Sequence, residues 1–200
     1  MGIDPSAAMI GWAQRQYHAK EYPNLRFQEG SFLEPDVAGP FDGIVSFCAL
    51  QHCPDQLSAL RNVRALLKPR GRLLVLVPAM HNAAWNQART AVQNRPEWAP
   101  YWEKVAPRKF LSASQYQELL ELAGFHAIAV QELDTVDPFI DLEELLVWLE
   151  GTFTPVVPLS ERRRFYLEWV EEYLRLDPEA ARDGVVFIKL GVIRIEAGLD

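Results

Sequence analysis

At 200 residues, 49% of them hydrophobic, the chain is long enough to bury one sizeable core and suits a single domain. A formal net charge of -7 argues against a nucleic-acid partner, which needs a basic face to meet phosphates. There is no run of about eighteen apolar residues and no charged-then-apolar signal pattern at the N-terminus, so membrane spanning and secretion are not expected and a cytoplasmic location is.

Met1-Gly2-Ile3-Asp4-Pro5-Ser6 reads as the end of a strand, with Ser6 placed to cap a helix whose Met9, Ala13 and Tyr17 share a face. Asn24 to Phe32 predicts a short strand closing in a turn. From Phe41 the pattern is regular. The run Ile44 to Leu50 is apolar and β-branched near its start, as a buried parallel strand should be. After Gln51-His52-Cys53-Pro54-Asp55, the residues Leu57, Leu60, Val63 and Leu67 fall three or four apart and make one apolar helix face. Pro69 and Gly71 are expected to stop that helix, and Leu73 to Val77 carries no polar residue. Phe41 to Pro78 is therefore one strand-helix-strand unit, right-handed by default. Cys48 and Cys53 have no second pair and no spacing suited to a metal, so reduced thiols are expected.

Beyond Pro78 the stretch from Met80 to Phe110 holds His81, Asn82, Trp85, Arg89, Trp98, Tyr101, Trp102, Arg108 and Lys109. Long connections in compact domains are functional or disordered, and this aromatic content speaks against disorder. Arg89, Arg108 and Lys109 are candidate partners for a carboxylate, which Arg can hold through two hydrogen bonds. Ser112 or Ser114 caps a helix with Tyr116, Leu119, Leu120 and Ala123 on one face, and Gly124 ends it. A strand is expected over Phe125 to Val130. Helices follow over Asp141 to Glu150 and Ser160 to Leu176, the second with Phe165, Trp169 and Tyr173 on one face. That stripe suits packing on the sheet or over a cleft, or the binding of a partner. Arg162-Arg163-Arg164 lies between Glu161 and Glu168 and reads as a solvated face. Asp183-Gly184 is a turn, and Val185 to Ile195 is the clearest isolated strand.

Phe41-Asp42, Ser46, Leu50, Asp55, Ala59-Leu60 and Leu67-Lys68-Pro69 resemble the fourth strand, following helix and fifth-strand entry of the class I S-adenosylmethionine-dependent methyltransferases. Arg70 stands where that family has the first of two glycines. More narrowly, Ala49-Leu50-Gln51, Pro96-Glu97-Trp98-Ala99-Pro100-Tyr101 and the helical stretch Leu142 to Leu176 are similar to the trans-aconitate and juvenile-hormone-acid methyltransferases.

The resemblance implies an α/β, Rossmann-like sheet with a helical cap, lacking the family's first strand and glycine loop, since the chain contains no Gly-x-Gly. It implies one partial domain: a cofactor-side core over 1–78, a substrate-covering segment over 79–111, and C-terminal helices and last strands over 112–200. An absent first strand would leave two neighbouring strand edges unpaired, so an N-terminally truncated reading of a longer protein is expected. The cofactor implied is S-adenosyl-L-methionine, with Asp4 accepting hydrogen bonds from both ribose hydroxyls; alternatively Asp4 is a turn residue. Pro5, Met9, Ser46 and Phe47 line the same site. Ser31 stands where the family often has an acid for the adenine amino group, and Phe32 packs on the adenine or in the core. His52, Trp85, Arg89, Trp98 and Arg108 are the expected substrate residues. The activity implied is O-methylation of a small carboxylic acid such as trans-aconitate. No catalytic base or metal is expected, because a carboxylate is already ionised at neutral pH. The alternative is a non-catalytic relic acting as an interaction protein.

Overall fold

The computed structural model describes residues 1–79, 84–103, 110–153 and 156–199. Gly2–Asp4 forms strand β1 and Ala7–Gln16 helix α1, with Ser6 in extended backbone accepting the Met9 amide at 3.3 Å, as an N-cap does. The residue that α1 buries is Ile10. Met9 and Tyr17 are exposed, so the expected Met9, Ala13, Tyr17 face points outward. One helical position separates that face from Ile10, and the branched residue takes the inward place.

Strand β2, Phe27–Glu29, pairs parallel with β1 and sets Asp4 opposite Glu29. It is shorter than the predicted strand. Strand β3, Phe41–Phe47, pairs parallel with β4, Leu67–Ala79, and between them comes helix α2, Gln56–Ala65. Asp55 caps α2 by accepting the Ser58 amide at 3.0 Å, and Ala59, Leu60 and Val63 are its inward face. The helix ends before Pro69. Pro69 and Gly71 instead belong to β4, where Lys68–Gly71 bulges opposite the single residue Asp42 and Arg70 sits at a φ of 63°. A bulge tolerates a proline because no ladder hydrogen bond is asked of it. Past it, Leu73, Val75, Val77 and Ala79 are buried and Leu74 and Leu76 half-buried, the pattern of an interior strand.

Helices α3 (Ala84–Gln93), α4 (Ala99–Trp102) and α5 (Ala113–Leu122) follow. Gly124, at a φ of 84°, ends α5, and the Phe125 amide reaches back to the Leu120 carbonyl at 3.0 Å. Strand β5 runs over His126–Phe139, well past the expected Val130. Helix α6, Leu142–Thr152, is capped by Asp141 and followed by α7, Leu159–Leu176. Asp183 and Gly184 both adopt positive φ and join the short β6, Ala181–Arg182, to β7, Val185–Gly198, in an antiparallel hairpin.

The strands form two sheets. One is the pair β1-β2; the other has the order β3-β4-β7-β5, with β6 pairing β7. The last strand thus lies between β4 and β5. Strands β1 and β3 each keep one edge without a strand partner among the described residues. On β3, Val45 and Phe47 are 62% and 57% exposed.

Two compact units are formed: Met1–Leu76 with Ser114–Val130 and Ile195–Asp200, and Val77–Ala113 with Gln131–Arg194. In the second, an aromatic cluster makes the core. Trp85 and Trp169 lie 4.3 Å apart, Tyr173 meets Trp85 edge-on, and the Trp169 indole N–H donates to the Trp85 carbonyl at 3.0 Å. Trp169 and Tyr173 remove much apolar area from water while their polar atoms keep carbonyl partners, Trp85 and Phe187. No helix among the described residues is long and apolar enough to cross a membrane.

Candidate functional site

Parallel pairing puts the carboxyl ends of β1 and β2 at one edge, which is where open α/β sheets bind ligands. Asp4 ends β1 there. Its Oδ1 accepts the Ser6 amide at 2.8 Å, and the Gly30 amide donates to the Asp4 carbonyl at 3.2 Å. Among the described residues no hydrogen bond engages the other carboxylate oxygen. Pro5 and Met9 are exposed beside it in sequence, at the entry and first turn of α1.

Ser31 and Phe32 follow β2 on the same edge. The Ser31 hydroxyl accepts the Glu34 amide at 3.1 Å, so it stabilises its own turn. Phe32 is half-buried. Its carbonyl and that of Leu33 both accept from the Asn62 carboxamide, at 2.9 and 3.0 Å. That clamp ties the loop after β2 to α2, and nothing in the sequence marks it beyond an asparagine in a helix.

The carboxyl end of β3 carries Ser46, Phe47 and then Cys48. Ser46 is buried, whereas Phe47 on the opposite face is exposed. Cys48 leaves the strand at a φ of 48°, unusual for a residue with a side chain, and its amide donates to the Leu76 carbonyl at 2.8 Å. Its carbonyl accepts from the Gln51 carboxamide nitrogen at 2.8 Å. Leu50–His52 is one turn of 3-10 helix closed by the Cys53 amide on the Leu50 carbonyl at 3.0 Å. His52 is exposed at its end. Burial pushes the Cys48 thiol up, and Cys53 is pushed up by the same cause against a hydrogen bond to the Asp55 carbonyl. Both are free thiols, so neither is poised as a thiolate at neutral pH.

Three buried side-chain atoms of this first unit stand out. The Ser46 hydroxyl oxygen and the Gln51 carboxamide oxygen have no hydrogen-bond partner among the described residues. The Tyr116 phenol is pushed up to about 12 by burial, so it stays protonated.

The remaining expected residues belong to the second unit. Trp85 is 1% and Trp98 2% exposed, and both are packed into the aromatic core. The Trp98 indole donates to Glu168 Oε2 at 2.8 Å, and Arg164 lies over its ring at 5.0 Å. Arg89 is half-buried on α3, with its guanidinium carbon 5.8 Å from the Trp169 ring centre. Burial works to raise the Glu168 carboxyl, but the Trp98 N–H and Arg95 outweigh it and hold the group below the usual carboxylate range. Arg108 lies outside the described residues, as do His81, Asn82 and Lys109. The structure thus brings Asp4, Pro5, Ser31 and Phe32 to the β1-β2 edge and Ser46, Phe47 and His52 to the end of β3. Two concavities of the first unit, about 370 and 570 Å³, contain none of these residues. Among the described residues no group of His, Cys, Asp or Glu is arranged to hold a metal ion.

Residues 1–130 match a family model described as a methyltransferase domain. Over 169 residues the chain is 34% identical to trans-aconitate 2-methyltransferase of Deinococcus radiodurans, an alignment that covers 81% of this chain and 62% of that relative. The chain therefore spans about three-fifths of that relative's length. Among solved structures, the YcgJ protein of Bacillus subtilis superposes with a TM-score of 0.64 at 19% identity, covering 99% of this chain and 81% of that one. Phosphoethanolamine N-methyltransferase 2 of Haemonchus contortus, solved with phosphomonomethylethanolamine and S-adenosylhomocysteine, superposes with a TM-score of 0.61 at 16% identity. It is matched over 43% of its length by 99% of this chain. These likenesses establish the Rossmann-like α/β fold.

Proposed function

Since the chain belongs to the class I S-adenosylmethionine-dependent methyltransferases, we propose that it binds S-adenosylmethionine at the carboxyl ends of β1 and β3 and methylates a carboxylate oxygen of a small organic acid. The observation that carries the acid is the 34% identity to a trans-aconitate 2-methyltransferase over 81% of the chain. The side chains at these strand ends fit the cofactor. Asp4 offers a carboxylate oxygen to ribose hydroxyls, exposed Phe47 and Met9 offer apolar surface to a flat base, and the Ser46 and Gln51 oxygens are buried polar groups in want of donors. When bound, the cofactor supplies an electrophilic methyl group on a sulfonium.

For the rest, the protein's own residues bind and orient. Holding nucleophile and methyl in line at near-attack distance accounts for most of such a rate enhancement. A carboxylate acceptor is ionised at neutral pH, so no residue has to take its proton. His52, exposed just past the end of β3, is proposed as a residue that favours an anionic acceptor. A cytoplasmic site of action and a small-molecule partner belong to the same reading. Transfer of an isotope-labelled methyl group from S-adenosylmethionine to a panel of di- and tricarboxylic acids tests it. Label recovered as a base-labile ester on one acid supports the proposal; label on nitrogen or carbon acceptors alone refutes the substrate class.

A second reading, a relic that no longer binds the cofactor, draws on Ser31, whose hydroxyl serves its own turn where the family often has an acid. Calorimetry with S-adenosylhomocysteine separates the two. Micromolar binding rules out the relic.

A further inference from the structure

Gln51 holds an unusual position. It is 5% exposed, in the turn just past the end of β3. Its carboxamide is fixed in orientation, because the atom 2.8 Å from the Cys48 carbonyl oxygen must be the nitrogen; an oxygen there would meet another acceptor. The carboxamide oxygen then points away from that contact and has no partner among the described residues. A buried amide oxygen without a donor is unfavourable by roughly tenfold or more in an equilibrium. An apolar residue of the same length would avoid that cost, though it would also release Cys48, which the Gln51 hydrogen bond helps hold at a φ of 48°. The latch therefore explains the nitrogen and leaves the oxygen unexplained.

We propose that the Gln51 carboxamide oxygen is a ligand contact that accepts a hydrogen bond from an N–H or O–H group of the molecule bound at the carboxyl end of β3. The chemistry required is a donor. A fully ionised carboxylic acid has none to offer, so on the function proposed above, on which this inference rests, the donor is the α-ammonium of the cofactor or a hydroxyl of the acid. Gln51 in that case does two things with one group: its nitrogen fixes the strand tip, and its oxygen reads the ligand. Ser46, five residues earlier and also buried with an unpartnered oxygen, lies on the same strand end but is not needed for the argument.

Titration calorimetry on the protein with paired ligands tests this. One pair is S-adenosylhomocysteine and its analogue lacking the α-amino group; the other is citrate and tricarballylate, one skeleton with and without a hydroxyl, added to the cofactor-loaded protein. The expected result is a loss of about tenfold in affinity on removing the donor from one pair, with Gln51→Leu binding both members of that pair equally. Gln51→Glu is no substitute for this variant, since its carboxylate has no N–H for the Cys48 carbonyl. Equal affinities within both pairs in the wild-type protein, or a donor preference that survives in Gln51→Leu, would overturn the inference. Should Gln51→Leu fail to fold, the wild-type pairs decide it alone. Binding of S-adenosylhomocysteine without any donor preference removes this inference and leaves the proposed function standing, whereas no binding of either form removes both.

Discussion

Replacing Asp4 separates a ligand contact from a turn residue. Its carboxylate has one oxygen committed to the Ser6 amide at 2.8 Å and one open at the end of β1. If both ribose hydroxyls donate to it, Asp4→Ala removes charge-assisted hydrogen bonds amounting to about 3 kcal/mol, roughly a hundredfold in Kd. Asp4→Asn keeps an oxygen for the Ser6 amide and for one neutral hydrogen bond, so the expected loss is nearer tenfold, about 1.4 kcal/mol. The turn itself is read separately. Loss of the Ser6 contact loosens the entry to α1 by about 1 kcal/mol, which thermal unfolding without ligand reports. Titration calorimetry with S-adenosylhomocysteine on the three proteins should therefore rank wild type, Asn and Ala in order of falling affinity. If folded Asp4→Ala binds within twofold of wild type, Asp4 is a turn residue and the ribose assignment fails.

Other consequences concern the framework. Asn62→Leu should free the loop holding Ser31 and Phe32 by removing two hydrogen bonds, with a loss of about 1 to 2 kcal/mol and faster amide exchange at Phe32 and Leu33. Unchanged exchange there would mean the clamp is not what holds the loop. Trp169→Ala should destabilise the second unit by about 3 to 5 kcal/mol, since the ring is buried against Trp85 and Phe153 and its indole hydrogen bond to the Trp85 carbonyl is lost as well. Glu168 gives a pH signature. Its carboxyl is held below the ordinary value of 4.5, so the ionised form's stabilisation is complete above that value and is lost as pH falls through the folded-state pKa. Glu168→Gln should be less stable than wild type at pH 7, with the gap closing as pH falls below 4.5 and through the folded-state pKa. A gap independent of pH would show that the Trp98 and Arg95 contacts do not depend on the charge.

How much of this was legible in the sequence differs element by element. Helix α2 was readable from the spacing of Leu57, Leu60 and Val63, and β7 because Val185 to Ile195 is rich in β-branched residues. Strand β5 was not readable past Val130. The residues Gln131 to Pro138 are almost all exposed on a strand at the end of the sheet order, so no alternation of apolar and polar residues marks them. The Pro69-Gly71 signal was real but ambiguous, since a helix stop and a strand bulge both use such residues.

The positions of Asp4 and Ser46 were legible, because the residues around each mark a strand end, and the structure has both there. The site was not legible where the role depends on a distant backbone group: Asn62 meets carbonyls about 30 residues away, and Gln51 acquires its meaning from the unusual φ of Cys48. Trp85 and Trp98 show a further limit. Aromatic residues in a long connection suit a substrate cover or a core equally well by composition, and only burial reveals that both rings pack into the second unit.

A crystal structure of the protein grown with S-adenosylhomocysteine measures the ligand's position itself. The account predicts ribose oxygens within hydrogen-bond distance of the Asp4 carboxylate and the sulfur beside the Ser46 to Cys48 end of β3. A ligand bound with its ribose remote from Asp4, or crystals grown at saturating ligand that contain none, would contradict it.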